Sequence, residues 1–117
     1  MNEGLLTLEE FNNMLRQWSG RRVKVTKHEM DDLDEAMIDL NAVSYAKQQS
    51  LDGYVPRYAL HLNGDGMIGT HANQYEELPG DVFEIPLEEN ALYEFDGTRF
   101  ILSTSRGVYT LELLDNF

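Results

Sequence analysis

The chain has 117 residues, 21 Asp and Glu against 9 Lys and Arg, a formal net charge of -12 and no cysteine. That length holds a single domain, residues 1–117, which buries roughly two-thirds of its unfolded surface without disulfide or metal staples. The lack of cysteine excludes thiolate catalysis, iron–sulfur clusters and Cys-based zinc sites. Acidity opposes a surface that grips phosphate backbones, and no apolar run reaches the ~18 residues of a membrane span.

The first element is a helix. Leu8, Phe11, Leu15 and Trp18 fall at i, i+3, i+7 and i+10, with Met14 alongside, which makes one apolar stripe. Thr7 and Glu10 spell a capping box, and Gly20 stands where a left-handed stop belongs, so a helix is predicted over about residues 8–19. The β body follows, over about residues 21–114. Between Arg21 and His28, Val23 and Val25 alternate with Arg22, Lys24 and Thr26, the pattern of a half-buried strand.

The stretch from Asp31 to Gln49 admits two readings. As a helix it opens on Asp32 and Glu35 in capping-box spacing, with Leu33, Met37, Leu40 and Val43 on one face. As a strand, Ala36, Ile38, Leu40 and Ala42 alternate with Met37, Asp39 and Asn41 before the phase flips to Val43 and Tyr45, as at a β-bulge. The strand is favoured by its neighbours. Tyr58, Leu60 and Leu62 alternate up to Asn63-Gly64-Asp65-Gly66, read as a hairpin turn from which Met67 to His71 returns. Phe83, Ile85 and Leu87 alternate next, with Pro86 marking an edge strand or a strand end. Leu92–Phe95 and Thr98–Ser103 flank Asp96-Gly97, and a turn near Ser105-Arg106-Gly107 leads to Val108–Leu114, where Tyr109, Leu111 and Leu113 share a face. The expected fold is mainly β (α+β): an N-terminal helix, then six to eight antiparallel strands in a small barrel or a curled sheet.

The charge is uneven along the chain. Residues 1–28 carry five bases and three acids, residues 29–52 one base and seven acids, and residues 53–117 three bases and eleven acids. Arg16, Arg21, Arg22, Lys24 and Lys27 precede the densest acid run, Glu29, Asp31, Asp32, Asp34 and Glu35. Adjacent blocks of opposite sign are expected on neighbouring strands, screening one another.

Sites that the sequence could encode fail on their own chemistry. Gly64-Asp-Gly-Met-Ile-Gly69 matches G-x-G-x-x-G, but that motif needs a long helix and a parallel crossover, and hairpins follow instead. An EF-hand loop starting at Asp32 places Ala36 and Met37 where an oxygen ligand and a glycine are required. In a two-residue hairpin at residues 63–66, His61 and His71 lie on opposite faces, which separates them as metal ligands. His28 adjoins Glu29, Asp31 and Asp32, where a surface ion pair is the ordinary expectation. No nucleophile elbow, H-E-x-x-H or P-loop is present, so no catalytic residue, cofactor or metal is expected.

The candidates for recognition are Glu29, Asp31, Asp32, Asp34 and Glu35, with Tyr54, Arg57 and Tyr75 near loops and the exposed part of Trp18. The leading expectation is a non-catalytic, cytoplasmic, acidic protein that docks a basic protein partner, in the manner of an inhibitor, an immunity protein or a phosphate mimic. No nucleic acid or membrane partner is expected. A small ligand- or metal-binding barrel or hydrolase using histidine and carboxylates is the alternative, and an assembly subunit is a third.

Overall fold

A computed structural model describes residues 5–30, 32–49, 56–69, 74–87 and 90–114. A two-residue strand β1 (Leu5–Leu6) precedes the helix α1 (Leu8–Arg16). Strands β2 (Arg22–Glu29), β3 (Asp32–Asp39), β4 (Ala42–Gln49), β5 (Pro56–Asn63), β6 (Gly66–Gly69) and β7 (Tyr75–Glu77) follow, then β8 (Val82–Leu87), β9 (Leu92–Phe95), β10 (Arg99–Ser103) and β11 (Val108–Leu113). Every pairing among the described residues is antiparallel. One sheet has eight strands in the order β1-β9-β10-β11-β2-β3-β6-β7, and the other three in the order β4-β5-β8. The fold is thus mainly β with one helix, and its sheets stay open rather than closing into a barrel.

The helix forms where its caps place it. Glu10 N–H donates to Thr7 Oγ1 at 3.0 Å, and Thr7 N–H donates to Glu10 Oε1 at 2.9 Å, which satisfies two orphan donors of the first turn. The α-helix ends at Arg16, a turn earlier than its apolar stripe. Trp18, Ser19 and Arg21 then donate to the third residue back, and Gly20 takes φ +89°. The stripe itself packs as core. Phe11 lies 5.0 Å from the Tyr93 ring and 5.3 Å from Phe100, and Trp18 sits edge-on to Phe100 at 4.7 Å. Trp18 is thus half-buried against aromatic rings and offers little to a partner.

Inner faces follow the period of two. Val23, Val25, Ala36, Ile38, Tyr93, Phe100, Leu102, Tyr109 and Leu111 of the eight-stranded sheet, and Val43, Leu60, Leu62, Ile85 and Leu87 of the three-stranded sheet, join the helix in one cluster. Each large side chain buried this way contributes about 1.5–3 kcal/mol.

Two expectations are corrected. The segment from Asp32 to Gln49 is strand, but its phase flip is a corner and not a bulge. β3 ends at Asp39 in the larger sheet, Leu40 is buried, and β4 begins at Ala42 in the smaller sheet. Ala42 is exposed, so the strict alternation stops at Leu40. Nor is Asn63–Gly66 a hairpin turn. β5 pairs with β4 and β8, whereas β6 pairs with β3 and β7, so the chain crosses back between sheets there.

Both crossings touch, backbone to backbone. Asp39 N–H donates to Asp65 O at 2.8 Å, Asn41 N–H to Asn63 O at 2.7 Å, and Gly64 N–H to Asp81 O at 2.8 Å. A Cβ at Gly64 would collide with the Asp39 carbonyl oxygen, so glycine is required for this close approach. The G-x-G-x-x-G match is therefore a packing feature of a sheet corner. Strands, not a nucleotide-binding helix, follow it among the described residues.

Candidate functional site

The ladder between β2 and β3 sets opposite charges against each other. Arg22 pairs in register with Asp39, and Arg22 Nε reaches Asp39 Oδ1 at 2.8 Å. Lys27 pairs with Asp34, while its Nζ lies 3.1 Å from Glu29 Oε2; Lys24 Nζ is 3.7 Å from Glu35 Oε1. The hydrogen bond to Glu29 holds the Lys27 ammonium above its usual range, and Glu29 and Asp34 add to the effect by their charge. The acid run thus meets the bases of the preceding strand. Glu29 and Glu35 are ion-paired, Asp34 faces a lysine, and Asp32 is exposed at the start of β3.

Of the remaining candidates, Tyr75 is exposed on β7, the outermost strand of the larger sheet. Arg57 pairs in register with Gln48 on β5, but its side chain lies outside the described residues, as do Asp31, Tyr54 and His71. Glu35 of the acid run and Tyr75 lie in register on either side of Gly69, on the outer face of the larger sheet.

A second acidic region is poorer in bases, although Asp96 meets Arg99 at 3.0 Å and Glu84 meets His61 at 3.1 Å. Between Arg57 and Arg99 the sequence holds no Lys or Arg, and it holds nine acids: Asp65, Glu76, Glu77, Asp81, Glu84, Glu88, Glu89, Glu94 and Asp96. Glu76 and Glu77 are exposed on β7, and Asp65 and Asp81 are exposed where the two sheets meet. A count of bases along the chain would have found this stretch; attention to the densest run of acids hides it.

The three-stranded sheet carries a polar row on the face opposite the core. Ser44, His61 and Glu84 are in register across β4, β5 and β8, and His61 Nε2 lies 3.1 Å from Glu84 Oε2. Asn63 Nδ2 donates to Ser44 Oγ at 3.0 Å. Hydroxyl, imidazole and carboxylate are the groups of a serine-hydrolase triad, but Ser44 is exposed on an open sheet face with its oxygen engaged by Asn63. His61 and His71 do not share a hairpin, because β5 and β6 belong to different sheets. Among the described residues, no group of three or more His, Asp or Glu is arranged to hold a metal ion.

Sequence reasoning missed the apolar side chains on the outer face of the larger sheet. Leu92, Ser103, Val108, His28 and Leu33 lie in one row across β9, β10, β11, β2 and β3. The next row on that face runs through Leu5, Glu94, Ile101, Thr110, Thr26, Glu35, Gly69 and Tyr75. Leu33, Leu92, Tyr75 and Met67 are each about half exposed.

Met30, in the two-residue connection between β2 and β3, is 98% exposed and takes φ +53°. That left-handed conformation costs an L-residue about 1–2 kcal/mol, and tight hairpins usually place Asn or Gly there. The signal in the sequence was a methionine and a leucine, Met30 and Leu33, inside an otherwise acidic run.

No helix among the described residues is long and apolar enough to cross a membrane. No solved structure matches this chain. The uncharacterized protein YmzB of Bacillus subtilis (strain 168) is 30% identical over 114 residues, an alignment that covers 87% of this chain and 94% of that protein. A family model described as "YmzB-like protein" matches residues 5–115, nearly the whole of the fold laid out above, and the chain therefore belongs to the YmzB-like family.

Proposed function

We propose that this protein is a non-catalytic binding protein that docks a basic protein partner through its acidic β surface. One observation carries the reading: nine acids and no base lie between Arg57 and Arg99, with Glu76 and Glu77 exposed on an edge strand beside Tyr75. The Glu29–Glu35 run, though denser, is largely matched by lysines and supplies less of the attraction. Complementary charge of this kind speeds encounter and excludes acidic competitors. An inhibitor, an immunity-type protein or a mimic of phosphate would each use such a surface.

The experiment is capture with the tagged protein at low and high salt, followed by titration of the captured partner. Affinity falls as salt rises, and Glu76→Lys with Glu77→Lys weakens it by about tenfold at low salt. Affinity that is the same at both salt concentrations would falsify the reading.

A second reading, a small hydrolase, is supported by the Ser44–His61–Glu84 row alone. It requires covalent labelling of Ser44 by a fluorophosphonate, lost in Ser44→Ala. An unlabelled protein removes it.

A further inference from the structure

We infer that Asn63 is a conditional deamidation site. The corner between the two sheets locks its side chain and the peptide bond that follows, opening of that corner frees both to react, and the product cannot restore the lock. The reaction uses none of the docking residues and stands apart from the acidic-docking reading.

Asn63 is the one asparagine of the chain that is followed by glycine. A glycine carries no side chain to shield its backbone nitrogen, which can then reach the carboxamide carbon of the residue before it. The Gly64 nitrogen bonds to Asn63 Cγ and gives up its proton, the Cγ–Nδ2 bond breaks, and ammonia leaves as a succinimide ring closes. Water then opens the ring at either carbonyl, to aspartate or to isoaspartate, in which the backbone runs through the side chain. Packing imposes this labile pair. A Cβ at Gly64 would collide with the Asp39 carbonyl oxygen, and the Asn63 amide ties β5 to β4.

The closed corner holds each group that must move. Asn63 Nδ2 donates to Ser44 Oγ at 3.0 Å and to Ala42 O at 3.2 Å, and it lies 3.4 Å from His61 O. Those carbonyls can only accept, so the NH2 end of the amide is the end that faces them. The Asn63–Gly64 peptide is fixed on both sides: its C=O accepts from Asn41 N–H at 2.7 Å, and its N–H donates to Asp81 O at 2.8 Å. Ring closure requires that this peptide rotate toward the carboxamide carbon and that the N–H lose its proton, yet Gly64 is buried. The anchors come from the β3–β4 link, from β4 and from the β7–β8 connection, so the lock exists only while the two sheets meet.

The product cannot rebuild this arrangement. A carboxylate in place of the NH2 group faces the carbonyls of Ala42 and His61 with no proton to donate, and it adds negative charge to a stretch that already holds Asp65, Asp81 and Glu84. Isoaspartate lengthens the backbone by one carbon beside Gly64, where the Asp39 carbonyl leaves no room even for a Cβ. A transient opening of the corner is thereby made permanent.

The test is peptide mapping by mass spectrometry, on the folded protein and on the same chain in guanidinium chloride, both held at mildly alkaline pH. The unfolded chain shows the mass gain of NH2-to-OH exchange at Asn63 before any other asparagine, and the folded protein reacts there at least about tenfold more slowly. Ser44→Ala removes one acceptor of the amide and speeds the folded-state reaction about fivefold. Thr7→Ala, the loss of a helix cap at similar cost, leaves that rate unchanged. Asn63→Asp lowers Tm by about 4 °C or more. Equal rates in the folded and unfolded protein, no preference for Asn63 in the unfolded chain, equal acceleration by Ser44→Ala and Thr7→Ala, or an Asn63→Asp Tm equal to the parent's would each overturn the inference.

Discussion

The β9–β10 and β2–β3 connections are both tight turns within one sheet, and they are built on opposite terms. At the first, Asp96 accepts hydrogen bonds from Thr98 N–H at 3.0 Å and Arg99 N–H at 2.9 Å, and Arg99 Nε lies 3.0 Å from its other oxygen. Gly97 supplies the positive φ, and Phe100, just beyond the turn, is buried against Phe11, Trp18 and Phe95. At the second, a methionine occupies the left-handed position, and the next apolar residue, Leu33, faces solvent. One turn is matched to the core behind it. The other leaves its methionine and the following leucine to solvent.

The contrast can be broken most forcefully at the core. Phe100→Ala costs about 3–5 kcal/mol by denaturant titration, because it opens a cavity under the helix. Leu33→Ala, its counterpart beyond the other turn, changes stability by less than about 0.5 kcal/mol. A comparable loss at both positions would remove the distinction between a packed turn and a presenting one.

Gly97→Ala costs about 1 kcal/mol or more, since φ +101° is strained for any side chain. Met30→Gly has the opposite sign, a gain of about 0.4–1 kcal/mol, because glycine relieves the left-handed strain. Two losses in these measurements would mean that Met30 is held by contacts within the fold.

The smallest effect is a pH dependence. The backbone N–H groups of Thr98 and Arg99 hold the Asp96 carboxyl well below the usual carboxylate range. A folded-state value below the unfolded one, about 3.9, means that the contribution is fully present above that pH and fades as pH falls below it. Thermal melts of the protein and of Asp96→Asn therefore differ at neutral pH and converge in strong acid. A constant difference across that range would assign the Asp96 contribution to turn geometry rather than charge.

Local features were legible in the sequence. The capping box of Thr7 and Glu10, the inward phase of Val23, Val25, Tyr109 and Leu111, and the turn at Asp96-Gly97 depend on neighbours a few residues away. The pairing of a basic strand with an acidic one was also legible, because consecutive strands joined by a short turn pair with each other. The hairpin at Asn63–Gly66 was not: its glycines answer to Asp39 and Met37, far away in sequence, rather than to a turn. Which carboxylates Lys24 and Lys27 meet was not legible for a related reason, and neither was the left-handed backbone of Met30.

The sequence by itself determined the elements, their buried faces and the excess of acid. A period of two or 3.6 is written in the order of the residues, and charge is a property of composition. Tertiary structure alone decided which strands share a sheet, that the chain changes sheets at Leu40 and again at Gly64, and which carboxylates meet which bases. Alternation specifies the side on which a strand is apolar, but the partner that covers that side is chosen by packing between distant segments. The net charge of -12 thus divides between a β2–β3 ladder in which Arg22, Lys24 and Lys27 meet the acids and a stretch between Arg57 and Arg99 that carries nine acids and no Lys or Arg.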